Sequence, residues 1–203
     1  MDRIVLATGN RHKYREMREE FDELEVDLVS PFELEFELRR PESGENYLEN
    51  ARIKADEAHD KTGLPSLADD SGLEVEALDG APGIHSSRWA GTDADAADRN
   101  RLLLDKLTDL PPDERAARYV CEMVLVDSDG QLFHTRGICE GRISTEPRGD
   151  CGFGYDPIFE VKEADWKTFG ELPARVKKWL SHRALALNKM VSLIRKQITG
   201  ERS

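Results

Sequence analysis

The chain has 203 residues, enough for one domain with its own hydrophobic core, so neither disulfide staples nor stacked repeats are needed to stabilise it. Hydrophobic residues make up 38% and charged residues 34%, and no apolar run approaches the roughly 18 residues that span a bilayer, which excludes a helical membrane protein. Forty-one acidic against 29 basic side chains give a formal charge of -12, which argues against non-specific nucleic-acid binding, because that attraction comes from neutralising phosphates with Lys and Arg.

The first residues, Met1 to Thr8, hold too short an apolar stretch for a secretion signal; Ile4-Val5-Leu6-Ala7 reads as a buried strand. Thr8-Gly9-Asn10 then makes a tight turn, and Tyr14, Met17 and Phe21 fall at helical spacing in a helix from Lys13 to Phe21. Leu24 to Val29 alternates as a second short strand, and Ser30 to Tyr47, with Pro31, Pro41 and Gly44, reads mainly as irregular chain with room for a short helical turn. A second helix runs from Leu48 to Lys61 and is closed by Gly63 and Pro65. Leu67-Ala68 reads as a strand end that delivers Asp69-Asp70-Ser71-Gly72 to a turn, with a further strand over Leu73 to Leu78 and a loop from Gly80 to Gly91.

Asp93 or Asp95 caps a helix through Arg99 to Leu107, and Pro111-Pro112 lies beyond it. The clearest hairpin follows: Ala117 to Val126, the turn Asp127-Ser128-Asp129-Gly130, and Gln131 to Ile143. Gly149 to Tyr155 is glycine-rich, Pro157 to Val161 is a short strand, and Arg183 to Ile198 is a terminal helix. Strands separated by helices, then a long antiparallel pair, predict an α/β fold with a mixed sheet, taken as a single domain over residues 1–203. Cys121, Cys139 and Cys151 lack CxxC spacing and read as buried free thiols in a reducing compartment, so a soluble cytoplasmic protein is expected.

Thr8-Gly9-Asn10 followed by Lys13 has the ingredients of a phosphate cradle: a glycine that lets the backbone approach, free N–H groups at a helix start, and a lysine. The same residues also suit an ordinary turn with a solvated lysine. Glu42, Glu45 and Glu49 around Gly44, and Asp69-Asp70 before Ser71-Gly72, are hard oxygen donors of the kind Mg²⁺ takes, and a carboxylate can also deprotonate an attacking water. In a chain with 41 acids they are equally compatible with a solvated surface. Because adjacent strand residues face opposite ways, at most one of Asp69 and Asp70 is expected in a given site. The run Gly149 to Pro157 combines flexible backbone with Phe153, Tyr155 and Asp156, which suits a nucleobase, with Phe153 stacking and Asp156 or nearby amides reading the ring edge; a glycine loop around core aromatics reads the same way. Lys177-Lys178 and Ser181-His182-Arg183 concentrate positive charge that a polyphosphate needs. No two histidines have metal-helix spacing, and no serine sits in a nucleophile elbow.

Taken in order, Thr8-Gly9-Asn10-Arg11-His12-Lys13 with Glu16, Glu42-Ser43-Gly44 with Glu49-Asn50-Ala51 and Lys54-Ala55, Leu67-Ala68-Asp69-Asp70-Ser71-Gly72-Leu73, Gly80-Ala81-Pro82-Gly83-Ile84, Glu146-Pro147-Arg148-Gly149, Gly152-Phe153-Gly154-Tyr155-Asp156-Pro157 and Ser181-His182-Arg183 resemble the non-standard purine nucleoside triphosphate pyrophosphatases, also described as inosine or xanthosine triphosphatases. The resemblance covers almost the whole chain. It implies an elongated two-lobed α/β protein with its site between the lobes, a homodimer, and Mg²⁺-dependent cleavage of ITP, dITP or XTP to monophosphate and pyrophosphate. By that likeness Thr8, Gly9, Asn10, Arg11, His12 and Lys13 form the triphosphate turn, with Lys54 a further phosphate contact. Glu42 and Asp70 resemble the metal carboxylates, Asp70 the general base supported by Asp69, and Ser71 a substrate contact. Phe153, Gly154, Tyr155 and Asp156 resemble the base loop, and Lys177, His182 and Arg183 complete recognition. Trp89 stands where relatives often have another aromatic, and Ala184 where they often have glycine. A different Mg²⁺ nucleotide hydrolase, or a non-catalytic nucleotide-binding module, are the rival readings.

Overall fold

The computed structural model describes residues 3–21 and 26–199, the side chains of His12, Glu19, Glu20 and residues 197–199 excepted. The strands are β1 (Arg3–Leu6), β2 (Asp27–Val29), β3 (Ser66–Val75), β4 (Ala116–Val126), β5 (Leu132–Ile143), β6 (Phe159–Val161) and β7 (Lys167–Thr168). The α-helices are α1 (Arg11–Phe21), α2 (Tyr47–Thr62), α3 (Ala96–Lys106), α4 (Ala174–Leu180) and α5 (His182–Thr199). The strands lie in the order β2-β1-β3-β4-β5-β6-β7. β1 pairs in parallel with β2, Ile4 opposite Leu28, and with β3, Val5 opposite Ser66. β6 pairs antiparallel with β5 and β7. The sheet is therefore mixed, as the alternation of elements predicts.

The chain divides into two compact units, Met1–Asp70 with Cys121–Gly137 and Ala184–Ser203, and Ser71–Val120 with Ile138–Arg183. In the first unit the period of two in β1 sorts its side chains between two cores. Ile4 and Leu6 join Met17 and Phe21 of α1 and Leu187, Met190 and Ile194 of α5. Val5 and Ala7 join Ala51, Ala55 and Ala58 of α2. Those three alanines fall on one helical face, and their small size lets α2 lie close to the sheet. Asn46 caps α2 by accepting the N–H of Glu49 at 2.9 Å, and Gly63 ends it in the left-handed region at φ 66.

In the second unit Leu73, Val75, Leu103, Ile143, Phe159 and Phe169 are fully buried. Tyr119 and Phe159 stand with ring centroids 4.7 Å apart. Arg115, itself buried, donates to the carbonyls of Leu107, Leu110 and Ser144, tying the end of α3 to the end of β5. Asp95 and Asp98 form a reciprocal capping box at the start of α3.

Several expectations change. Asp69-Asp70-Ser71-Gly72 is not a turn: β3 runs through it without a break, and Gly72 is not among the glycines with positive φ. Burial of Leu67, Ala68, Leu73 and Val75 on either side keeps the chain extended. β3 then ends at Val75, and Glu76–Leu78 is a 3-10 turn rather than strand. The loop from Gly80 to Gly91 contains a 3-10 helix, Gly83–Arg88. α4 and β7 are short and half-exposed, with too little apolar period to be read from sequence. Of the second predicted strand, Leu24 and Glu25 lie outside the described residues. Cys121 and Cys139 are buried, but Cys151, on the glycine-rich loop, is exposed. No described helix is long and apolar enough to cross a membrane.

Candidate active site

The turn after β1 is built from its own polar groups. The Thr8 hydroxyl accepts the N–H of Asn10 at 3.1 Å, and the Asn10 side-chain oxygen accepts the N–H of Lys13 at 3.3 Å, which caps α1. A Cβ placed on Gly9 would meet nothing within 4 Å, so the backbone there is open to approach. Arg11 lies over the Phe32 ring, 5.5 Å from its centroid. The side chain of His12 lies outside the described residues.

Lys13 reaches from α1 to Asp69, Nζ to Oδ2, at 2.8 Å, and the Asp69 side chain has no solvent exposure. The Cys121 thiol faces the same carboxylate oxygen at 4.0 Å. Asp70 turns the other way, as strand alternation requires. Lys54 of α2 holds its Nζ 3.5 Å from Asp70 Oδ1 and 2.9 Å from Glu42 Oε1. Asn50, one helical turn earlier, donates from Nδ2 to Asp70 Oδ2 at 3.2 Å and accepts the Gly44 N–H on Oδ1 at 2.9 Å.

Burial pushes the Asp70 carboxyl up, against the pull of Lys54 and Lys13 and with the push of Glu42 and Asp69. Burial alone would lower Lys54, but Asp70, Asp69 and Glu42 outweigh it and raise its ammonium above the ordinary lysine value, so it stays charged.

The oxygens of Glu42 and Asp70, from separate segments, converge on one cationic point. Such a pair fits Mg²⁺, which takes one or two carboxylates and completes its shell with water and phosphate. Among the described residues no group of three or more His, Cys, Asp and Glu could hold a metal, so a closed all-protein cage is not what the donors offer.

In the second unit the base-loop candidates assemble around Asp156. Its Oδ2 accepts the Phe153 N–H at 2.7 Å and the Lys177 ammonium at 2.7 Å. Gly152 has φ +81, and a Cβ there would stand 1.9 Å from Asp156 Oδ2, so only glycine allows this closure. The Asp156 carboxylate is therefore engaged in shaping the loop, where sequence reading leaves Asp156 or nearby amides to read the base edge. Lys177 lies 4.5 Å and Arg183 5.8 Å from the centroid of the partly buried Phe153 ring. Arg183 also donates to the Ser71 hydroxyl at 3.1 Å. Gly154 is anchored through its carbonyl to Asn100 at 3.2 Å, and the Tyr155 hydroxyl donates to the Ser86 carbonyl at 2.8 Å. His182 stacks on Tyr119, centroids 4.5 Å apart and planes 6° from parallel.

Within the first unit the structure brings together Lys13, Glu42, Lys54, Asp69 and Asp70, and within the second Ser71, Phe153, Asp156, Lys177 and Arg183. Sequence reading gave no role to Asn50 or Tyr119. Asn50 stands four residues before Lys54, so the helical period puts both on one face, and that spacing was the available signal. Tyr119 reads as an ordinary core residue of an alternating strand.

A sequence model described as the Ham1 family matches residues 4–193. The chain belongs to the Ham1 family. Relatives include the dITP/XTP pyrophosphatase of Vibrio cholerae, 45% identical over 201 residues, covering 98% of this chain and all of that one. The dITP/XTP pyrophosphatase of Thermus thermophilus is 46% identical over 190 residues, covering 93% and 90%. Among solved structures, a HAM1 protein from Coxiella burnetii aligns with a TM-score of 0.88 at 39% identity, covering 97% of this chain and all of that one. The Ham1 protein of Staphylococcus aureus gives 0.87 at 33% identity with the same coverage. In this Ham1 chain, the family's α/β fold carries the two side-chain clusters described above.

Proposed function

We propose that this Ham1-family protein hydrolyses non-standard purine nucleoside triphosphates, ITP, dITP and XTP, to the monophosphate and pyrophosphate with Mg²⁺. The observation that carries the reading is the convergence of Glu42 and Asp70 on Lys54, an acidic pair with a resident cation. Relatives of matching length named dITP/XTP pyrophosphatases support the substrate class.

In this reading Glu42 and Asp70 would hold Mg²⁺, which would supply positive charge against the triphosphate oxygens. Asp70 takes a proton from water as the water oxygen bonds to the α-phosphorus. The bond from that phosphorus to the bridging oxygen breaks, pyrophosphate leaves with the electron pair, and the proton passes on to solvent. The turn from Thr8 to Lys13 and the Lys54 ammonium bind the phosphates, while Asp69, held by Lys13, keeps β3 in place. Phe153 to Asp156 receive the base, with Ser71, Lys177, His182 and Arg183 completing recognition. A 6-keto purine accepts hydrogen bonds where adenine donates, so donors here favour inosine and xanthosine; a mismatched buried group costs about 1–3 kcal/mol. Homodimer formation and a cytoplasmic location, implied by the likeness and by cysteine usage, belong to the same reading; sedimentation of the purified protein checks the first.

Product analysis with Mg²⁺ and ITP, XTP, dITP, GTP and ATP supplied separately tests it. Monophosphate and pyrophosphate from the first three, with ATP nearly untouched, is the expected result. Orthophosphate release points instead to a different nucleotide hydrolase, and binding without turnover to a nucleotide-binding module.

A further inference from the structure

Asn50 of α2 is 1% exposed, and a buried side-chain amide is costly unless it is hydrogen-bonded. Its two ends do different things. The carbonyl oxygen accepts the N–H of Gly44 at 2.9 Å, and a backbone N–H can only donate, so the orientation of the amide is fixed by that bond. The amide nitrogen is thereby turned toward Asp70 Oδ2, 3.2 Å away. The other Asp70 oxygen is left to Lys54, which also contacts Glu42.

Two side chains one helical turn apart therefore make parallel links, an amide and an ammonium, each joining Asp70 to the segment Glu42–Gly44. The fit at Gly44 is tight: a Cβ there would stand 2.9 Å from Asn50 Oδ1 and 2.6 Å from the Glu49 Cβ. The segment cannot move away from α2 without losing the bond that orients the amide.

We infer that Asn50 is a positioning residue for the hydrolysis, setting the rotamer of the Asp70 carboxylate and its place relative to Glu42 through the Gly44 backbone. This rests on the reading of Asp70 as the base. A neutral amide suits the task because it directs one carboxylate oxygen without competing as a second cation. Residues that support a reacting group in this way change activity by about 10–100-fold when altered.

The test is a double-mutant cycle with purified full-length protein, Mg²⁺ and ITP, using Asn50→Leu, Asp70→Asn and both together, with thermal unfolding run on each. Asn50→Leu should lower kcat by about 10–100-fold with KM changed less than about twofold, and should cost almost nothing further in the Asp70→Asn background. A purely structural Asn50 would cost the same in both backgrounds. That result, or an unchanged kcat in folded Asn50→Leu, overturns the inference. Asn50→Ser, which is smaller and uncharged, takes its place if the leucine variant does not fold, with the same expectations. Near-normal turnover in Asp70→Asn alone would instead overturn the reading of Asp70, and the inference with it, whereas an inactive Asp70→Asn with a normal Asn50→Leu would fault Asn50 only.

Discussion

Asp69 and Asp70 are consecutive on β3 and are held by lysines from different helices, Asp69 by Lys13 of α1 at 2.8 Å and Asp70 by Lys54 of α2 at 3.5 Å. The alternation of the strand makes this division unavoidable and separates two kinds of work. One carboxylate is sealed into the interior as half of an ion pair. The other stays close to Glu42 and Asn50, where chemistry is proposed.

The sealed pair predicts a stability effect. Removing one partner of a buried pair costs about 3–5 kcal/mol, since the other charge is left without compensation. Lys13→Met should fall toward the low end, because Lys13 keeps 15% of its side chain exposed while Asp69 keeps none. Adding Asp69→Asn to that variant should restore much of the loss. Urea denaturation of the two variants checks both statements, and equal instability of the single and double variants would contradict the pairing.

The Asp156 network predicts an effect on binding more than on the chemical step. Asp156→Asn keeps an acceptor for the Phe153 N–H but removes the charge that holds Lys177. Hydrogen bonds to charged groups contribute about 1.5–3 kcal/mol, so kcat/KM for ITP should fall about 10–100-fold, mainly through KM. Steady-state kinetics separate the two parameters.

Glu57 supplies a pH prediction. Burial raises its carboxyl, but Lys61 and the N–H groups of Arg39 and Arg40 outweigh that and hold it below its ordinary value of 4.5. A carboxylate depressed on folding contributes stability above the unfolded value, and the contribution is lost as pH falls through the folded one. Glu57→Gln should therefore be less stable than the parent near neutrality, by about 1–3 kcal/mol, with the gap closing as the pH drops below about 4.5. Thermal unfolding between neutral and acidic pH follows the gap; a constant difference would remove Glu57 from the account.

Much of this architecture was legible in the residues. Ile4 to Ala7, the helix ending at Gly63 and the reversal at Asp129-Gly130 announce themselves because local preference and burial agree there. Asp127 accepts the N–H groups of Asp129 and Gln131, giving that turn a chemistry readable in advance. The acidic run of β3 reads as a turn because Asp, Ser and Gly favour one; burial of Leu67, Ala68, Leu73 and Val75 around it, with pairing of its carboxylates to Lys13 and Lys54, reverses the preference. Asp70 is visible as one of a carboxylate pair suited to Mg²⁺ or a base, whereas Lys54 enters only through the family resemblance. The roles of Asn50 and Tyr119 depend on side-chain direction and on partners distant in sequence, which composition and period do not carry.

The most direct test of the central claim is hydrolysis of ITP with Mg²⁺ in ¹⁸O-labelled water, with the label located by mass spectrometry of the products. Attack on the α-phosphorus predicts ¹⁸O in the monophosphate and none in pyrophosphate, with the rate falling by about 10²–10⁴-fold in Asp70→Asn. Label in pyrophosphate, release of orthophosphate, or an Asp70→Asn variant as fast as its parent would contradict it.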